Sequence, residues 1–155
     1  MTIADVEFYV GKGGIAPTRK TGDAGFDFYV PEDHPTVLLA PGKDILINTH
    51  IRSKLAENIA LVAFNKSGVA TKKHLQVGAC VVDRSYQGEI HIHVFNWGSE
   101  NILIGPGDKL VQFVPIGIDE DEPTIYYEGQ TSLEEFYPTS TERGEGGFGS
   151  TGDKK

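Results

Sequence analysis

Residues that interrupt regular structure come so often in this chain that no long helix has room to form. Nineteen Gly and eight Pro fall among its 155 residues, about one residue in six, where an average chain has about one in eight. Between them lie short runs rich in β-branched and aromatic side chains, at 3–10, 25–30, 36–40, 44–48, 59–65, 75–82, 89–96, 109–117 and 124–128. Nine or ten short strands at this spacing predict an all-β barrel or sandwich. Residues 67–73 and 133–136 are long enough only for a turn or two of helix, and no extended 3.6-residue pattern supports more. The glycines and hydroxyls of 139–155 carry little aliphatic material, so this tail is expected to be mobile on its own.

A chain of this length forms one compact domain without help from disulfides or a structural metal. The single Cys80 has no internal partner, and it reads as a small core residue in a reducing compartment. The longest apolar run, IALVAF at 59–64, is far short of a membrane span, and the opening MTIADVEFYV lacks the features of a secretory leader. A cytoplasmic protein without membrane contact is therefore expected, in a host cytoplasm if the source is viral. The net charge of −8 disfavours direct binding to nucleic acid. That charge is uneven. Residues 1–118 hold 11 basic and 12 acidic side chains, whereas 119–145 hold one and nine. The nearly neutral body can bind a small anion through local cations. The acidic segment reads as a solvated connector and a candidate surface for a protein partner.

Five segments carry residue types suited to chemistry. In RGEGGFGSTG, residues 143–152, glycines allow close backbone approach to a phosphate chain, while Arg143, Ser150 and Thr151 offer donors. Phe148 offers a plane for a base. The plain alternative is a disordered Gly-rich terminus. In VGACVVDRSYQGEIHIHVFNWG, residues 77–98, two strands flank a polar hairpin. Asp83 there can serve as a general base or as a simple turn residue, and Tyr86 as a wall for a sugar. In NKSGVATKK, residues 65–73, Lys66, Ser67 and the amides after Gly68 either bind an anion or form an ordinary strand-to-helix turn. Asp27, alternating with apolar neighbours in AGFDFYV, either supports a divalent cation or faces solvent. Gln112 sits in the apolar strand GDKLVQFVP as an amide donor. His91 and His93 share one strand face, but no third zinc ligand accompanies them.

In this order, from Ala24 to Gly152, the five segments resemble the five motifs of the trimeric deoxyuridine triphosphate nucleotidohydrolases, the dUTPases. The resemblance implies a jelly-roll-like distorted β-barrel, with residues 1–138 as the core and 139–155 as a flexible arm. It implies a homotrimer whose arms are exchanged between subunits. It also implies hydrolysis of dUTP to dUMP and pyrophosphate, with Mg²⁺, by water attack at the α-phosphorus. Such an activity limits uracil incorporation into DNA and supplies dUMP for dTMP synthesis. By matching motifs, Asp83 is the base and Tyr86 packs under deoxyribose. Backbone groups between Gly78 and His91 read uracil. Lys66, Ser67, Gly68 and Gln112 contact phosphates, and Asp27 supports the metal through water. Arg143, Gly149, Ser150 and Thr151 hold the distal phosphates, and Phe148 stacks on the base.

The second motif departs from the family's usual Pro-Arg-Ser, reading Asn65-Lys66-Ser67; Lys supplies a point charge in place of a planar fork. Two other readings compete. One is the related dCTP deaminase, disfavoured by Tyr86 and the arm, and the other is a nucleotide-responsive regulatory binding protein using the acidic segment.

Overall fold

The computed structural model describes residues 4–149 and Gly152. Ten strands form: β1 (Val6–Val10), β2 (Phe26–Tyr29), β3 (Val37–Leu39), β4 (Asp44–Leu55), β5 (Ile59–Asn65), β6 (Leu75–Val77), β7 (Val81–Val82), β8 (Ile90–Asn96), β9 (Ile102–Ile104) and β10 (Lys109–Gly117). A π-helical turn at Val69–Lys73 and a four-residue helix α1 (Leu133–Phe136) complete the regular structure. The strands pair antiparallel into two four-stranded sheets, ordered β1-β4-β8-β6 and β2-β10-β5-β7, with β3 and β9 forming a small third ladder. This is the all-β class that the strand spacing predicts, in the jelly-roll-like form that the family resemblance implies.

Period-two alternation explains how the sheets close on one another. Along β8, Ile90, Ile92 and Val94 are buried while His91, His93 and Phe95 point outward. Inward residues of both sheets join one core containing Phe28, Leu61, Ile47, Ile92 and Phe113. Phe8 of β1 crosses between sheets, meeting Phe26 and Phe28 of β2 edge-on at centroid separations of 5.1 and 5.5 Å. Burial of these rings together with the mostly aliphatic side chains of the core is the main favourable contribution to folding.

β4 runs to Leu55, well beyond the expected 44–48, and it does so through a bulge. Its register against β8 jumps from Asn48 opposite His91 to Ile51 opposite Ile90, placing two extra residues, Thr49 and His50, in β4. Two insertions preserve the alternation that one would invert, so Ile47 and Ile51 both stay in the core. Buried Thr49 stabilises the bulge by donating its hydroxyl to the Ile90 carbonyl and accepting from the Ile51 amide.

Three expectations change. The run 75–82 divides at residues 78–80 into β6 and β7, and the three-residue β9, too short to stand out in sequence, pairs with β3. Residues 124–128 form no strand; Ile125, Tyr126 and Tyr127 are exposed. Strand backbone needs a partner for its N–H and C=O groups, and the chain divides into compact units Met1–Asp121 and Glu122–Lys155, the second of which offers no strand among its described residues. Within that second unit, α1 is closed by a capping box between Ser132 and Glu135, and Phe136 packs against Tyr127 and Tyr137. No helix among the described residues is long and apolar enough to cross a membrane.

Candidate active site

Pairing of β10 with both β2 and β5 assembles the first part of the site. Gln112 lies opposite Asp27 on one side and Phe64 on the other. Lys66 follows directly where β5 ends. Asp27, Lys66, Ser67, Gly68 and Gln112, drawn from three distant segments, therefore line one open cleft of about 420 Å³. Lys66 is ion-paired with Asp27, and Lys109 approaches the other carboxylate oxygen at 3.8 Å. Gln112 donates its amide to the Asn65 carbonyl at 3.1 Å. Ser67 and Gly68 open the helical turn, with the Ser67 carbonyl accepting from Thr71 Oγ1. Asn65 ties this edge to β6 by accepting the Val77 amide on its Oδ1 at 2.9 Å.

A second cavity of about 250 Å³ forms between the hairpin that follows β7 and the start of β8, with Tyr86 and His91 on its wall and Phe113 and Leu46 among its apolar lining. Local bonds fix these rings. The Glu89 carbonyl accepts from the Tyr86 hydroxyl at 2.8 Å and pairs with His91 Nδ1 at 2.9 Å. Only glycine fits at position 88, because a Cβ there would sit 2.3 Å from the Tyr86 oxygen. At Gly78 a Cβ would lie 2.2 Å from the His93 ring. That ring accepts the Ala79 amide on Nδ1 at 2.8 Å, so its proton sits on Nε2 and points to Asp44 Oδ2 at 2.7 Å. The bond to His93 is the main cause holding the Asp44 carboxyl below its ordinary value. His93 is thus a strut for the segment around Gly78, and no metal-binding group of His, Cys, Asp and Glu occurs among the described residues.

Asp83 occupies the exposed turn of the same hairpin, where its carbonyl accepts the Tyr86 amide at 3.1 Å; it lines neither cavity. Its neighbour Arg84 donates to Glu120 Oε1 at 2.8 Å, and the same oxygen accepts the Asn58 amide. The Asn58 amide, together with Arg84, holds the Glu120 carboxyl below its ordinary value.

In the second unit, Arg143 donates to the Gly146 carbonyl at 2.7 Å, and the Gly144 amide donates to Thr141 Oγ1 at 3.1 Å. Arg143, Phe148 and Gly149 border one hollow, with the Phe148 ring fully exposed and its backbone at φ 49°. Ser150 and Thr151 lie outside the described residues. The other sequence candidates accordingly gather at a polar cleft, an apolar hairpin cavity and the Gly-rich segment, while Asp83 stands apart on the exposed turn. Sequence reasoning missed Lys109 as a second cation at Asp27 and Asn65 as a bracket. Strand register decides the first, since Lys109 is opposite Tyr29 across a shift in the β2–β10 ladder.

The dUTPase family model matches residues 12–152. A deoxyuridine 5'-triphosphate nucleotidohydrolase of Candida glabrata is 36% identical over 140 residues, 90% of each chain. That of Kluyveromyces lactis is 39% identical over 137 residues, covering 88% of this chain and 85% of its own. Among solved structures, a phage 80alpha dUTPase superposes with a TM-score of 0.74 at 26% identity, covering 97% of this chain and 99% of the other. A Staphylococcus bacteriophage 80alpha dUTPase solved with dUpNHpp gives 0.73 at 24% identity, covering 95% and 98%. Matched along nearly its whole length by model, by sequence and by fold, the chain belongs to the dUTPase family.

Proposed function

We propose that this protein hydrolyses dUTP to dUMP and pyrophosphate, by attack of water on the α-phosphorus. The observation that carries the reading is the convergence of Asp27, Lys66, Ser67, Gly68 and Gln112 on one cleft within a chain of this family. A triphosphate carries about four negative charges, so neutralisation and alignment must precede any useful proton abstraction. Lys66, with Lys109 behind Asp27, supplies cations; Ser67, the Gly68 backbone and Gln112 supply neutral donors. Asp83, exposed on its turn, is proposed to orient and deprotonate the water. Tyr86 is proposed to pack under deoxyribose, and the backbone between Gly78 and His91 to read uracil. Arg143, Gly149, Ser150 and Thr151 are proposed to close over the distal phosphates while Phe148 covers the base.

The donor set fits a magnesium ion carried in by the substrate. Asp27 lies among the phosphate-contact residues of the cleft, which Asp23 also lines, and it is ion-paired with Lys66 and approached by Lys109. Mg²⁺ keeps several waters and takes most of its ligation from phosphate oxygens, so it needs only one or two protein carboxylates. Asp27 would hold its hydration shell, and the ion would add charge neutralisation at the triphosphate.

Within the first unit the polar cleft and the hairpin cavity share no lining residue, and this supports a homotrimer in which each site draws on neighbouring subunits, with residues 139–155 as an exchanged arm on the 1–138 core. A single cysteine supports a cytoplasmic setting. The run 119–145 leaves Ile125, Tyr126, Leu133 and Tyr137 exposed among its acidic residues, which favours a protein contact there in addition to catalysis; capture of a partner that changes with a non-hydrolysable dUTP analogue is the expected result. The deciding assay for the enzyme is pyrophosphate release from a nucleotide panel with Mg²⁺. Release from dUTP, with almost none from dTTP, dCTP or UTP and no ammonia from dCTP, is expected. Equal turnover of all four overturns the reading.

A further inference from the structure

The bulge in β4 places a histidine where the backbone is left-handed: His50 has φ 60°. A side chain in that region is uncommon and costs conformational free energy, so persistence there requires compensating contacts. His50 has them on both sides of its ring. Nε2 lies 3.0 Å from the Asp33 carboxylate, and Nδ1 lies 3.2 Å from Glu89 Oε2. A neutral imidazole has one N–H and can donate to one of these carboxylates; both bonds are made only by the imidazolium. Two residues on, and on the same strand face, Arg52 donates to the Gln87 carbonyl and approaches Glu89 Oε1 at 3.4 Å. The bulge therefore aims two cations at residues 87–89, the closing limb of the hairpin.

That limb sets the position of Tyr86. Its hydroxyl donates to the Glu89 carbonyl, and its oxygen rests where Gly88 lacks a Cβ. We infer that His50 is a positioning residue for sugar recognition: its charged ring clamps Glu89 to Asp33, and through Glu89 holds the Tyr86 ring against which a deoxyribose is selected. The inference rests on the proposed role of Tyr86. It makes discrimination between deoxyribose and ribose depend on pH. The other charged groups facing the clamp are Arg52 beside Glu89, and Lys12 and Glu32, which share a cleft with Asp33. Burial pulls the His50 value down, but the bonds to Asp33 and Glu89 more than offset it and hold it above the ordinary 6.5. The clamp is therefore complete below pH 6.5 and is lost as pH rises through the higher value of the folded protein.

The test compares kcat/KM for dUTP and UTP from pH 6 to 9, together with the affinities of dUpNHpp and its ribose counterpart, in the full-length protein and two variants. His50→Gly adopts a positive φ freely and removes both bonds; His50→Lys keeps a cation that does not titrate in this range. The dUTP preference of the parent is expected to fall about tenfold across the range, the scale set by a small misplacement of a substrate-orienting group. His50→Gly should show the low preference at every pH, and His50→Lys the high one. A His50→Gly protein that keeps both the preference and its pH profile overturns the clamp, as does a parental profile persisting in His50→Lys. If no protein turns over dUTP but the affinity ratios move as expected, the clamp stands and the hydrolytic reading fails.

Discussion

Asp83 and Lys66 test different parts of the same chemistry. Asp83→Ala removes no contact that supports the fold, since the turn is held by backbone, and it is expected to leave analogue binding nearly intact while kcat falls by about 10²–10⁴. Single-turnover kinetics beside a binding isotherm would check this; retained turnover refutes the assignment of the base. Lys66→Met leaves Asp27 with only Lys109 at 3.8 Å, and it should raise KM for dUTP about tenfold or more, because a charged hydrogen bond to phosphate is worth about 1.5–3 kcal/mol. Glu120 carries a pH prediction. Its folded value is depressed, so its contribution to stability is present above the unfolded value near 4.5 and disappears as pH falls through the folded value. Melting of the parent and Glu120→Gln proteins should differ at pH 7 and converge in acid.

Among the elements, β4 and the hairpin place the site, and both depend on small local features. Thr49→Val keeps the shape of the bulge but leaves the buried Ile90 carbonyl and Ile51 amide without their hydroxyl partner. A loss of about 1–3 kcal/mol by denaturant titration is expected. Gly78→Ala would drive the His93 ring off the Ala79 amide and away from Asp44, at about 1–3 kcal/mol of overpacking. The strands themselves were legible from alternation; the bulge was not, because two inserted residues leave the inward and outward pattern unchanged. The missing strand at 124–128 shows the opposite limit. Its composition suits a strand, but composition does not provide a neighbouring edge with which to pair.

At the scale of the whole molecule, the prediction concerns assembly. Light scattering should give about three times the 16.9 kDa chain mass, as symmetric oligomers of this kind require; a monomer would remove the basis for sites shared between subunits. Deleting 139–155 should abolish turnover while leaving the trimer and its melting transition in place, because the core of the first unit draws only on residues before 122. The net charge of −8 is also a property of this scale, and it is misleading as a sum. Residues 1–118, which include the cleft, are close to neutral, and the acidic residues gather in the segment after β10.

Sequence alone determined the all-β class, the strand spacing and the identity of the residues that gather in the polar cleft, because alternation and turn chemistry are local and motif residues keep their order along the chain. Tertiary structure decided which of them meet. Only the β2–β10–β5 ladder brings Asp27, Lys66 and Gln112 into one cleft, and only the β4–β8 register places His50 between Asp33 and Glu89, 17 and 39 residues away. Contacts between distant segments depend on register and burial, and neither is written in any short stretch of residues.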